Sequence, residues 1–341
     1  MPSGEMQIYL EFEYRRGNCP ECGVRYEEIP WLSSSHRSTK RFAQAIGRQC
    51  REMSVARVAE MNQLSWGQVR RLETDYMEEI LKKHPPSKKL CAIGIDEVSI
   101  KKGHSYAIVV ADLDQRRPIW LGSTGRAEED LDVFFDEIGQ KRSNRIQLAV
   151  MDMWKPFRNS LHKNAPNAEI VYDKFHVLGH LSAALDSVRR MEYSRVTEKD
   201  RRFIKGQRYT LLSREANLTL EGRRSLHLLL KVNKRLNKAY ILKESFGQLW
   251  EYNNPKWARK FFENWKAQLR WSRIKPFQKF VELVERHWNG IISYCRPDHK
   301  VSLGFMEGLN NKIRVIQRRA YGIRNMHYLR LKVITSFIPD P

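Results

Sequence analysis

Apolar and polar positions along this chain follow two rhythms, and the change from one to the other marks out its parts. Between residues 87 and 176 the runs are short and end in turns. Leu90 to Glu97 is an apolar run closed by a carboxylate, which predicts a buried strand ending at Asp96. His104 to Leu113 predicts a second strand, Asp114 to Arg117 a turn, and Pro118 to Leu121 a third strand, together an antiparallel meander. Leu131, Phe134, Phe135 and Ile138 then recur at helical spacing, so a helix lies on the sheet. Ile146 to Met151 predicts a fourth strand followed by Asp152, Pro156 to Lys163 a short helix, and Glu169 to Tyr172 a fifth strand. That order of elements gives an α/β unit with a mixed sheet.

The flanking segments are helical. Within 36–86, Phe42, Ala45 and Ile46 mark one helix, and Ser54 caps a second that carries Val55, Val58 and Ala59. Ser65 and Gln68 form a capping-box pattern at the start of a third, with Trp66, Val69, Leu72 and Tyr76 on one face and Arg70 and Arg71 off it. Short helices around the Asn62–Ser65 turn predict a helix-turn-helix, against the plainer alternative of an αα-hairpin. In 177–300 glycine and proline thin out and helical spacing dominates, with five of the nine tryptophans among them. Their spacing favours core positions over base-stacking ones. Residues 301–341 supply a last helix, Val301 to Arg319. Residues 1–35 open with Gln7 to Tyr14, an alternating stretch that predicts a strand.

Charge changes the picture. Lys and Arg number 61 against 39 Asp and Glu, a net +22 over 341 residues, which calls for a polyanionic partner. No apolar run is long enough to span a bilayer and no signal peptide opens the chain, so the partner is nucleic acid rather than membrane and the expected place is the cytoplasm, at the nucleoid. The five cysteines are scattered, which fits a reducing compartment.

Candidate chemistry follows from the strand ends. A carboxylate closing a buried strand needs a partner, and a metal ion shared by Asp96 and Asp152 would be one. Glu97 points to the opposite sheet face by alternation, and Asp112 and Asp114 suit a turn. Cys19-Pro20-Glu21-Cys22-Gly23 is half of a zinc ribbon; Cys50 and His36 are the nearby substitutes for its missing pair, and the alternative is a ribbon that keeps its turn without Zn²⁺. Glu307 shares a helix face with Asn311, Arg314 and Arg318, and spacing alone makes it a salt-bridge partner.

Five segments give the chain a family likeness. Gly94-Ile95-Asp96-Glu97, the run from Ser105 to Asp114, Met151-Asp152-Met153-Trp154, Asp173-Lys174-Phe175-His176-Val177, and Glu307 to Ile313 with Arg318 to Gly322 resemble, in order, the ISL-three family of bacterial insertion-sequence transposases. The resemblance implies an RNase H-like mixed sheet with an Asp-Asp-Glu triad, Asp96, Asp152 and Glu307. It makes Glu307 a ligand, and it makes 177–300 an all-helical insertion between two parts of one core, 87–176 and 301–341. It implies two Mg²⁺ or Mn²⁺ ions on the triad, with double-stranded DNA (terminal inverted repeats and target) as substrate and a homo-oligomer assembled on it. Asp173 and His176 take a supporting role by the same resemblance; the alternative is that His176 caps or packs against the following helix. The family's ribbon has an earlier cysteine pair, so Cys19 and Cys22 correspond to the later one and 1–35 reads as a truncated ribbon.

The expected function is metal-dependent cleavage and strand transfer of insertion-sequence ends. The candidates for DNA contact are Arg70, Arg71, Asn311, Lys312, Arg314 and Arg318. The rival readings are a DNA-binding regulator or inactive relic, and a nuclease that cuts without joining.

Overall fold

The computed structural model describes residues 8–33, 37–101, 105–122, 125–301 and 304–339. A two-stranded hairpin, β1 (Arg16–Cys19) and β2 (Gly23–Tyr26), comes first, its tight turn made possible by Gly23 at φ +73°. The stretch expected as a strand before Tyr14 forms none among its described residues, 8–14. Gln7 and His36 lie outside the described residues.

Three helices follow, α1 (Lys40–Glu52), α2 (Val55–Met61) and α3 (Trp66–Lys83). Each starts where a side chain can accept from the unpaired amides of its first turn: Thr39, Ser54 and Ser65. The capping box at α3 is complete: the Gln68 amide donates to Ser65 Oγ and the Ser65 amide to Gln68 Oε1. Ile46, Cys50, Val58, Val69 and Leu72 form the small core of this unit. In the α2–α3 turn, Asn62 is buried and donates to Val58 O and Gln49 Oε1.

The main sheet runs in the order β5-β4-β3-β6-β7, from β3 (Ala92–Lys101), β4 (Ser105–Asp112), β5 (Arg117–Gly122), β6 (Leu148–Met151) and β7 (Glu169–Tyr172). β3, β4 and β5 are the antiparallel meander; β6 and β7 run parallel to β3. Asp112 shapes the β4–β5 turn by accepting from the amides of Asp114 and Gln115, as its position suggested.

Strand alternation sorts the sheet into two apolar faces. Ile93, Ile95, Ile108 and Val110 face the helices α4 (Glu128–Ile138), α6 (Lys155–Asn164) and α7 (Lys174–Arg195), while the single turn α5 (Gln140–Ser143) follows α4. Val98, Ala107, Val109 and Ala111 face α3, α15 (Gly304–Arg319) and α16 (Met326–Thr335). Sheet and helices thus make a mixed α/β architecture.

Among the described residues only helices follow α7 until α15: α8 (Glu198–Ile204), α9 (Arg208–Leu212), α10 (Leu220–Val232), α11 (Lys234–Phe246), α12 (Pro255–Ala267), α13 (Lys275–Arg286) and α14 (Trp288–Ser293), with single 3-10 turns between some of them. Phe246 sits at the middle of their packing, with the rings of Trp250, Phe262, Trp265 and Phe280 at 4.8–6.5 Å. Trp250, Trp265 and Trp288 are core residues as expected, but Trp257 and Trp271 are exposed.

The helix α16 was not expected. It buries Tyr328, Leu329, Leu331, Val333, Ile334 and Thr335 around most of its circumference, so it has no apolar stripe for a periodicity reading to find.

Candidate active site

The register of the sheet brings three carboxylates to one edge. Ala92 and Gly94 of β3 lie opposite Leu148 and Val150 of β6, and Leu148 and Val150 lie opposite Glu169 and Val171 of β7. Two residues further along each strand, on the same face, come Asp96, Asp152 and Asp173. The three strands run parallel, and the row stands just past the carboxyl ends of β6 and β7, where open α/β sheets hold ligands. β3 does not end at Asp96 as its apolar run suggested: it leaves its pairing with β6 there but runs on to Lys101, because β4 continues to pair with it.

Each carboxylate is fixed by its own neighbourhood. Asp96 accepts from the Glu97 amide at 2.7 Å and Asp152 from the Met153 amide at 2.5 Å. Asp173 is the N-cap of α7 and accepts from the Phe175 amide at 2.8 Å. Capping therefore belongs to Asp173. His176, in the first turn of α7, turns back to the row instead and places Nδ1 3.3 Å from Asp152 Oδ2.

Burial pushes the Asp96 carboxyl up to about 6; the Glu97 amide and the His176 charge oppose this, while Asp173 and Asp152 add to it. Burial likewise raises Asp173. Asp152 is also penalised by burial, but its bond to His176 outweighs this and leaves its pKa below the usual carboxylate range. His176 is raised to about 9, first by its bond to Asp152. The cluster thus holds three acids and one imidazolium at neutral pH.

This makes a direct prediction. A folded pKa above the unfolded one means that the pair stabilises the protein fully below about pH 6.5 and loses that contribution as pH rises through about 9. In divalent-free buffer the His176 ring should titrate by NMR near 9, and Asp152→Asn should bring the midpoint down towards 6.5. An Asp152→Asn midpoint that stays put would show that Asp152 is not the cause.

Across the row lies α15. Gly94 lets it approach: a Cβ there would stand 2.5 Å from Met306 Sδ. One turn further on, Asn310 Nδ2 donates to Asp96 Oδ2 at 2.8 Å. The other amide atom, Asn310 Oδ1, is buried without a hydrogen-bond partner. Sequence reasoning passed over Asn310 as a site residue, although it sits inside the Glu307 to Ile313 motif. It also passed over His180, one turn after His176 and near enough to Asp152 to influence it electrostatically.

Glu307 stands three residues before Asn310, hence on a neighbouring position of the same helix side. It is exposed and makes no hydrogen bond or ion pair among the described residues. Among the described residues no three His, Cys, Asp or Glu side chains are gathered tightly enough to hold a metal ion as they stand. The donor set nonetheless suits a hard cation. The acids outnumber the one imidazolium, Asp96 is buried at an energetic penalty to its charge, and an unpaired amide oxygen lies beside it.

The other candidates are distributed as follows. Arg71 is exposed. Arg70 is half-buried and lies 3.8 Å over the Tyr328 ring, so it also braces α3 against α16. Asn311, Arg314 and Arg318 are exposed along α15, with Arg314 donating to Asn311. Lys312 departs from that face: it donates to Ser336 O and sits 4.0 Å over the Phe337 ring.

Cys19 and Cys22 flank the β1–β2 turn, and the Cys22 amide helps to lower the Cys19 thiol. Cys50 cannot complete their set. It is fully buried in the α1–α3 core, where burial and Glu73 push its thiol up to about 12. Two thiolates are half of what a closed zinc site takes.

Comparison with known proteins adds to this geometry. A family model described as a transposase matches residues 93–333, and one described as the helix-turn-helix domain of transposase family ISL3 matches residues 27–77. The transposase for insertion sequence element IS1001 of Bordetella parapertussis is 33% identical over 341 residues, covering 99% of this chain and 83% of the relative. The transposase for insertion sequence element IS1557 of Mycobacterium tuberculosis is 27% identical over 345 residues, covering 94% of this chain and 77% of the relative.

Proposed function

Because the chain belongs to the ISL3 family of insertion-sequence transposases, we propose that it cuts and joins the DNA ends of its element at the Asp96–Asp152 row. The observation that carries this reading is the register: carboxylates far apart in sequence meet on one face where the parallel pairing of β3, β6 and β7 ends, with α15 tied to them through Asn310. The sheet, interrupted by the helices of 177–300 and completed by α15, is read as an RNase H-like core.

Asp96, Asp152 and Glu307 would hold two Mg²⁺ or Mn²⁺ ions. Such ions, when bound, activate an attacking oxygen and stabilise the leaving one in displacement at phosphorus. Asn310 positions Asp96 for this. His176 offsets the acids while the site is empty of substrate and is placed at the rim for a phosphate. No covalent protein–DNA link is required, so no serine or tyrosine nucleophile is assigned.

The helix-turn-helix unit binds the duplex. The first turn of α3 (Trp66, Gly67 and Gln68) is exposed together with Arg71, which suits the groove-entering end of such a helix. Arg71→Ala should weaken duplex binding and lower the salt dependence of log K by about one counterion. A salt slope identical to that of the wild type would take Arg71 out of the interface.

The test of the whole reading is incubation of the full chain with duplexes bearing the element's ends, with Mg²⁺ or with EDTA. Mg²⁺-dependent cleavage at the ends followed by joined products is expected. Cleavage without joining would favour the nuclease, and binding without cleavage the regulator.

A further inference from the structure

The turn between α15 and α16 contains a residue that the fold does not account for. α15 ends in a pair of reversed hydrogen bonds: the Gly322 amide donates to Gln317 O at 2.8 Å and the Tyr321 amide to Arg318 O at 3.1 Å. This is the Schellman arrangement, and it puts Tyr321 at the position that takes the left-handed conformation. Its φ is +52°, a conformation in which the Cβ of an L residue crowds the backbone and for which glycine is the usual choice. Gln63, Arg116 and Arg273 are the other non-glycine residues with positive φ among those described, so Tyr321 is the one aromatic in that conformation.

A bulky residue at a strained position is normally held there by packing. The Tyr321 ring has none: the residue is 97% exposed, and its side chain makes no ring contact or hydrogen bond among the described residues. Local preference and tertiary packing would both be better served by a smaller residue. Such a conflict marks a residue retained for contact with something else.

Three further observations say what that partner is. Between residues 318 and 324 there are three arginines, Arg318, Arg319 and Arg324, and no acid. The turn sits directly after the helix that carries Glu307 and Asn310. And Tyr321 borders a cavity of about 370 Å³ that Trp66, Arg70 and Lys312 also line, so the turn and the start of α3 open on the same hollow.

We propose that Tyr321 stacks on a base of the bound DNA, entering the duplex as a wedge and unstacking one base step close to the site of cleavage. The proposal rests on the reading of this chain as a transposase acting on DNA ends. A rigid aromatic ring flanked by guanidinium groups suits such a contact, because the ring faces a base while the cations hold the phosphates. An unstacked step also frees the scissile backbone to bend towards the carboxylate row.

The experiment uses a duplex of the element's own terminal sequence with 2-aminopurine placed at successive positions. The wild type should raise fluorescence sharply at one position near the cleavage point. Tyr321→Gly should abolish that rise and weaken binding by about 5- to 100-fold, the range of a lost base–aromatic stack. Its thermal midpoint should stay equal or rise, since glycine relieves the left-handed backbone. Tyr321→Trp should keep the fluorescence rise, and a substrate already mispaired at that step should restore cleavage by Tyr321→Gly. If the wild type binds and cuts while Tyr321→Gly keeps the rise and the affinity, this proposal alone is overturned. A wild type that does not bind the duplex overturns both it and the transposase reading.

Discussion

Asp96→Asn should lower Mg²⁺-dependent cleavage on the order of 10³-fold or more while duplex affinity stays within a few-fold. The estimate takes several kcal/mol for metal-held transition-state charge at about 1.4 kcal/mol per tenfold in rate. The substitution is close to isosteric, and the Asn310 amide can still donate to the new side-chain oxygen, so the β3–α15 contact survives. What disappears is the negative charge. Stability should move the other way. The raised Asp96 pKa means that ionisation is costlier in the folded protein than in the unfolded chain. That cost begins above the unfolded value of about 3.9 and is complete above about 6, so at neutral pH and without divalent ions Asp96→Asn should unfold at a higher temperature. Higher stability with lost cleavage is the signature of a carboxylate kept for chemistry. Cleavage that survives in Asp96→Asn, or in Glu307→Gln, would show that the triad is wrongly assigned.

The second large effect lies away from the chemistry. Glu73 of α3 is 2% exposed and is held by two groups of α16: Lys332 Nζ at 2.7 Å and the Tyr328 hydroxyl, which donates to its other oxygen. Lys332→Met would leave that carboxylate buried without its cation, and breaking a buried pair on one side costs about 3–5 kcal/mol. Glu73→Gln combined with Lys332→Met should recover a large part of the loss, because no orphaned charge remains. Chemical denaturation of the three variants measures this. A Lys332→Met chain as stable as the wild type would mean that the pair does not lock α3 to the core. The lock bears on function, since α3 is also the helix assigned to the DNA groove.

Much of the fold could be read in advance because its causes are local. The capping box at Ser65 needs only Gln68, three residues away. The meander of β3, β4 and β5 needs only alternating apolar residues and a short turn. The row of acids was partly visible for the same reason, since Asp96 and Asp152 each end an apolar run. Glu307 entered through family resemblance, and its own spacing pointed to a salt bridge that it does not make among the described residues. The exposed Trp257 and Trp271 show where helical spacing overstates burial: a ring at a regular interval is core only if another element covers that side.

Other features have no local cause. α16 is covered nearly all round, so it lacks the polar face that marks a helix. Arg70 reads as a free cation until Tyr328, more than 250 residues later, comes to lie beneath it. Asn310 looks like any polar residue of a basic helix until it meets Asp96. The chain itself determined the order of the five sheet strands, the excess of positive charge and the acids that close apolar runs, because each depends on neighbouring residues or on composition. Only the tertiary structure decided that Asp173 caps α7 while His176 turns to Asp152, that Lys332 locks α3 in place and that Tyr321 stands uncovered in a strained turn. Those outcomes arise from contacts between distant segments, whose energies no stretch of sequence contains by itself.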